Sequence, residues 1–369
     1  MGIPEKIKAV QDEIGRTQLN KATEHHVGIL KAKIAKLKRE QEAVQIKKSS
    51  KKSDGFDVKR SGDATIVIIG FPSVGKSTLL NALTGSKSSV GAFQFTTVTV
   101  VPGILDYRGA KIQMLDLPGI IKGASSGRGL GKRILSVARS ADIVLLVLDV
   151  FQPYHEDVLV NELSNIGIRL NQQPPNIIIE KSSTGGIAIA QQVKLKKMSE
   201  KLVKDILNIY GYTSARVVIR EDIDSEQLID FITGSKTYAK SITVLNKIDL
   251  VDEKFLKKAS KKIKTEFIPV SADANDNITE LRDRIYDELQ FIRIYMRPKG
   301  GKTDYKEPLI IRNGNSVLDV CNKLHRKLKR DFRYGLVWGK SVKFAGQRVG
   351  RNHVLRDEDV LTIIKIKGT

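Results

Sequence analysis

The stretch that most constrains this chain is Gly70-Phe71-Pro72-Ser73-Val74-Gly75-Lys76-Ser77, which fits the G-x-x-x-x-G-K-[ST] spacing of a phosphate-binding loop. Its flanks are the ones such a loop needs. Ala64 to Ile69 is a short β-branched run that reads as a buried strand, and Thr78 to Leu83 starts a helix that ends near Gly85. The glycines let backbone N–H groups turn inward, and the positive end of the helix dipole points at the same spot. Lys76 is then placed to reach β- and γ-phosphates, and the Ser77 hydroxyl to ligate Mg²⁺.

Further signals follow in order. The loop Gly91 to Val98 contains Phe95, Thr96 and Thr97. A threonine there that holds Mg²⁺ only while γ-phosphate is present would report the triphosphate state, and Thr97 is the preferred ligand. Lys111 to Leu115 reads as a strand ending in Asp116-Leu117-Pro118-Gly119. Asp116 suits the Mg²⁺ shell, and the Gly119 N–H suits the γ-phosphate. The glycine-rich run from Gly123 to Gly131 reads as a second switch loop. Ile143 to Asp149 and Ser241 to Leu245 are two more strands, the latter running into Asn246-Lys247-Ile248-Asp249. Guanine offers two adjacent donors, N1–H and the 2-amino group, and the single carboxylate of Asp249 accepts both. Adenine has no such pair, so a site built this way rejects it. Asn246 and the Lys247 stem would brace the loop and cover the ring. Phe267 to Val270 opens onto Ser271-Ala272-Asp273, where a backbone N–H meets guanine O6. Every signal sits at the C-terminal end of a strand, the edge where open α/β sheets bind ligands. The set reads as a site for GTP or GDP with Mg²⁺. Gly70 through Thr78 hold phosphate, Ser77, Thr97 and Asp116 hold metal, and Lys76, Thr97 and Gly119 contribute to phosphoryl transfer.

A chain of 369 residues suggests two or three domains. In residues 1–48, Ile7, Val10 and Ile14, and then Val27, Leu30, Ile34 and Leu37, fall at helical spacing. They predict a basic helical hairpin, either resting on the main domain or docking a partner. Residues 49–62 read as a polar linker and 63–290 as the nucleotide domain. The long span between the Asp149 and Ser241 strands predicts an inserted α+β subdomain over 168–240. A helix from Ile278 to about Phe291 closes the nucleotide domain. Residues 291–369 form a last module, with Pro298 to Lys302 as linker, Asn313-Gly314-Asn315 as a hairpin turn and one basic helix from Val317 to Phe332.

Formal net charge is +22, and the tail from Gln290 to Thr369 carries 19 Lys or Arg against 7 Asp or Glu, a net of +12. Such a concentration points to a polyanionic partner, RNA foremost. The lone Cys321 excludes an internal disulfide and a cysteine metal cluster. No run is long and apolar enough to suggest a membrane span, and the chain reads as cytoplasmic, with no membrane partner.

The switch stretch Lys122 to Gly131, together with Phe95-Thr96-Thr97 and the phosphate loop, resembles that of the Obg-related GTPases. The basic N-terminal helices, the insertion and the tail narrow the likeness to the eukaryotic DRG group, the developmentally regulated GTP-binding proteins. Ser316 to Val320 through Leu355 to Val360 resembles a TGS domain. The resemblance implies an α/β P-loop GTPase domain with an inserted α+β subdomain, an N-terminal helical hairpin and a C-terminal β-grasp (TGS) domain. It also implies hydrolysis of GTP, association with ribosomes in translation, a DFRP-type companion in a heterodimer and potassium as an activator. Two positions depart from common patterns. Ile120 stands where many GTPases place a water-orienting glutamine after Asp-x-x-Gly, and Ser73 stands where potassium-activated ones often carry asparagine.

Overall fold

The computed structural model describes residues 2–18, 20, 23–48, 62–85, 101–117, 136–234 and 236–366. The expected switch loops at 91–98 and 123–131, and residues 49–61 of the linker, therefore lie outside the described residues. The strands are β1 (Ala64–Gly70), β2 (Val101–Tyr107), β3 (Ala110–Asp116), β4 (Ile143–Asp149), β5 (Ile168–Leu170), β6 (Ile177–Lys181), β7 (Ile187–Gln191), β8 (Ala215–Ile219), β9 (Thr237–Asn246), β10 (Phe267–Pro269), β11 (Phe291–Met296), β12 (Leu309–Arg312), β13 (Phe332–Trp338), β14 (Gln347–Val349) and β15 (Val360–Lys365). The chain divides into two compact units, Met1–Phe56 with Gly167–Tyr238, and Asp57–Ile166 with Ala239–Thr369.

The larger unit is built on a sheet of order β10-β9-β4-β1-β3-β2. All neighbours are parallel except β2, which runs antiparallel to β3 on the edge. Parallel strands covered on both faces need continuous apolar runs, and β1 and β4 supply them: Ile66, Val67, Ile68, Val144 and Leu145 have no solvent exposure. The β2–β3 turn uses Arg108 at φ 49 and Gly109 at φ 82, two left-handed residues that match strand twist. A Cβ on Gly109 would stand 2.7 Å from Pro308, so this turn also lies tight against the C-terminal module.

That module is a second sheet, order β12-β11-β15-β13-β14, with β11 and β15 parallel. Its core gathers Ile294, Val317, Val320, Cys321, Val337, Leu355 and Leu361, all without exposure. Burial pushes the Cys321 thiol pKa up. Four expectations need correction here. The helix Ile278–Leu289 stops before Phe291, because Gln290 turns left-handed at φ 53 and Phe291 begins β11. Pro298 to Lys302 is therefore a turn inside the module, between β11 and β12, rather than a link between domains. Asn313-Gly314-Asn315 leads from β12 into the helix Val317–Leu324, not into a paired strand. The basic helix is also broken in two: His325 is extended, its Nδ1 accepts the Lys327 N–H, and a new helix runs from Arg326 to Asp331. Two ion pairs join module to nucleotide sheet, Arg312 with Asp142 and Lys323 with Asp63, the latter at 2.7 Å. Each aspartate also accepts a backbone N–H of the sheet, Asp142 from Thr65 at 2.8 Å and Asp63 from Lys111 at 3.0 Å.

In the smaller unit the second N-terminal helix is buried against the inserted residues. Helix Glu24–Lys48 packs on residues 167–238, inserting Ala32 among Leu202, Val203, Ile206, Val217 and Leu228. Lys31 pairs with Glu226 at 2.6 Å, His25 meets Asp205 at 3.1 Å, and Lys36 donates to the Ile209 carbonyl at 2.8 Å. The inserted residues form a sheet of order β6-β8-β7 with helices Glu200–Ile209 and Ser225–Thr233. Both helices begin on polar caps, Ser199 and Asp224, whose side chains accept N–H groups of Leu202 and Gln227. Inside the same unit Arg169 pairs with the buried Asp230 at 2.8 Å. Burial outweighs the guanidinium there and leaves the Asp230 pKa raised.

Candidate nucleotide-binding site

The loop from Gly70 to Ser77 joins the end of β1 to the helix Lys76–Thr84. Gly75 sits at φ 90, a conformation that disfavours any side chain, and a Cβ there would run into the Asn246 amide. Ser73 is also left-handed, at φ 64. Lys76 is 8 % exposed and its ammonium donates to the Phe71 carbonyl at 2.9 Å. Desolvation lowers its pKa and the Asp116 carboxylate opposes that shift. A buried cation held by one neutral carbonyl is under-compensated, which suits it to an incoming phosphate.

Asp116 ends β3, one strand from the loop, because Ile68 and Asp116 are in register. The Ser77 hydroxyl donates to Asp116 Oδ2 at 2.6 Å. Asp116 Oδ1 is buried and finds no hydrogen-bond partner among the described residues. An orphaned carboxylate oxygen beside a hydroxyl fits a hard cation with oxygen ligands. Among the described residues no group of three or more His, Cys, Asp or Glu is placed to hold a metal. The Ser77 hydroxyl and the Asp116 carboxylate suit Mg²⁺, which takes one or two protein oxygens and completes its shell with phosphate and water.

The base-side loop is tied into the phosphate side by one residue. Asn246, at the end of β9, is 2 % exposed. Its Nδ2 donates to the Val74 carbonyl at 2.9 Å, and its Oδ1 accepts the Ala272 N–H at 3.0 Å. Lys247, left-handed at φ 69, donates to the Ser73 carbonyl at 2.8 Å and pairs with Asp149 at 2.7 Å. Asp249 lies exposed in the short 3-10 turn Ile248–Leu250. Ser271 is wholly buried and its hydroxyl accepts the Ala274 N–H at 3.0 Å, which shapes the turn that presents Ala272 and Asp273.

Of the residues singled out in the sequence, Gly70 to Thr78, Asp116, Leu117, Asn246 to Asp249 and Ser271 to Asp273 gather at one edge of the sheet. Phe95, Thr96, Thr97, Pro118 and Gly119 lie outside the described residues. Two members were missed. Asp149 fixes Lys247, and the His155 ring lies 4.2 Å from that of Phe71 in the loop. The signal for Asp149 was present: a charged residue closing an apolar strand, level with Asn246 on β9. Nothing in the sequence marks His155.

Comparison with known proteins places this chain among GTP-binding proteins. The family described as 50S ribosome-binding GTPase matches residues 65–181, the C-terminal region of that domain matches 184–291, and the TGS domain matches 292–365. A GTP-binding protein of Methanocaldococcus jannaschii is 51 % identical over 99 % of this chain and 93 % of its own. The developmentally-regulated GTP-binding protein 2 homolog of Dictyostelium discoideum is 45 % identical over 99 % of this chain and 100 % of its own. Among solved structures, a GTP binding protein from Pyrococcus horikoshii OT3 aligns with a TM-score of 0.43 at 16 % identity, covering 82 % of this chain and 100 % of that one.

Proposed function

Because this chain belongs to the developmentally regulated GTP-binding proteins, we propose that it hydrolyses GTP to GDP and phosphate in the cytoplasm and couples that cycle to the ribosome. The observation that carries the reading is the Asn246 bridge, which joins a phosphate loop to a base-reading loop in one hydrogen-bonded assembly. Lys76 would bind β- and γ-phosphate oxygens, Asp249 would accept the two guanine donors, and the Ala272 region would meet O6. Ser77 and Asp116, together with Thr97, would hold Mg²⁺, which would neutralise charge on the phosphate oxygens. The basic C-terminal module, with a net of +12 over 290–369, and the ribosome-binding description of the matched family support an RNA-rich partner. A DFRP-type companion and potassium stimulation belong to the same proposal.

Ile120, which has no group to orient water, favours slow hydrolysis by the isolated chain and supports a second reading. In it the protein is an RNA-binding assembly factor and GTP is mainly structural. One assay separates the two: GTP turnover by the purified chain in potassium or sodium buffer, with and without ribosomes. Strong stimulation by ribosomes is the expected result. Tight GTP binding with no turnover under any condition would favour the assembly factor.

A further inference from the structure

The C-terminal sheet has a face that its helices do not cover. Strand register puts Tyr334, Leu336 and Trp338 of β13 on that face and sets Arg348 of β14 level with Leu336. The alternate residues of β13, Gly335 and Val337, turn inward to the core. Arginines lie over the aromatic rings. The Arg348 guanidinium carbon is 4.2 Å from the Tyr334 ring centroid, with Arg333 on the same ring at 6.0 Å, and that of Arg297 is 4.8 Å from Trp338. Beside them the Tyr295 and Tyr305 rings are 5.0 Å apart, and Tyr305 is 65 % exposed.

These arginines differ from their neighbour Arg293, which is held by Asp357 at 2.7 Å and Glu358 at 3.0 Å. Among the described residues, no carboxylate forms an ion pair with Arg297, Arg333 or Arg348. The face therefore presents planar cations, pre-oriented on rings, without internal counter-charge. A polyanion completes such a surface, and the surrounding excess of Lys and Arg favours one. Flat rings and guanidinium planes select a polyanion whose bases are free to stack, which a duplex does not offer.

We propose that this open sheet face binds single-stranded RNA, with bases stacking on the Arg348–Tyr334 and Arg297–Trp338 pairs and the guanidinium groups meeting phosphates. The proposal deepens the RNA-facing reading above and rests on it. The test is fluorescence anisotropy of the full chain with a labelled single-stranded RNA of about 12 nucleotides, within the span such platforms cover, and with a hairpin duplex. Tyr334→Ala and Arg348→Ala are each expected to weaken single-strand binding about tenfold, the scale of one lost stacking contact. Arg348→Lys keeps the charge but loses the plane, and should weaken it nearly as much. Lys329→Ala, on the basic helix, should change it little. Unchanged GTP binding by each variant shows that the fold survives.

If the wild-type chain binds RNA and the face variants bind it equally well, the face assignment is wrong while the RNA reading stands. No binding to any RNA overturns both. Tighter binding of the duplex overturns the single-strand assignment. Ribosome pelleting that is lost in the face variants, with oligonucleotide binding unchanged, would put a ribosomal protein on the face instead.

Discussion

Gly75 and Asn246 show how little room the site leaves. A methyl group on Gly75 meets the Asn246 amide and sits on a backbone at φ 90. Gly75→Ala should therefore lower GTP affinity at least a hundredfold, read by fluorescent-nucleotide titration, and a loss below tenfold would mean the loop relaxes around it. Lys76→Ala removes the buried cation and should abolish turnover while leaving the unfolding midpoint nearly unchanged, since one desolvated charge is lost with its one carbonyl contact. Asp249→Ala should sharply reduce the preference for GTP over ATP in a competition assay, because that carboxylate accepts the two guanine donors that adenine lacks, leaving only the N–H that meets O6 to discriminate. The residues of these predictions were legible in the sequence, since each motif fixes a residue type at a set spacing. What tied them together was not. Asn246 was expected to brace its own loop, and it reaches Val74, 172 positions away. Spacing along a chain carries no record of such a reach.

At the level of elements, local rules competed with tertiary ones. The run Val317 to Phe332 has helical composition, yet His325 adopts an extended backbone and caps a new helix. Charge density concealed that break. The first of the two helices starts at Ser316, whose N–H and hydroxyl both donate to the Asp319 carboxylate at 2.8 Å. Those hydrogen bonds hold the Asp319 pKa below its ordinary 3.8. The contribution is present above that ordinary value and is lost as pH falls through the depressed one. Asp319→Ala should cost about 1 kcal/mol at neutral pH and nothing well below that window, measured by urea unfolding at each pH. Arg169→Ala is a harsher change. It leaves Asp230 buried, 7 % exposed, with the Lys236 ammonium only at 3.9 Å. A loss of about 3–5 kcal/mol is expected, and calorimetry should see it as early melting.

Over the whole molecule, the chain is organised by contacts far apart in sequence. Removing residues 1–48 would uncover the cluster of Leu202, Val203 and Ile206 on which helix Glu24–Lys48 packs. The truncated protein should bind a hydrophobic dye that the full chain does not. Unaltered dye binding would show that the inserted residues close their core unaided. The helical stripes announced that these helices have a buried side, but not what buries it, because an apolar stripe fits any apolar partner. The nucleotide pocket carries a different lesson. One asparagine clasps the strand edge that cups phosphate and the turn that frames the base, so the pocket works as a single buckle rather than two latches. Anything that slips that buckle at one end loosens the whole belt, and a partner that emptied the site would need a handhold on one side only.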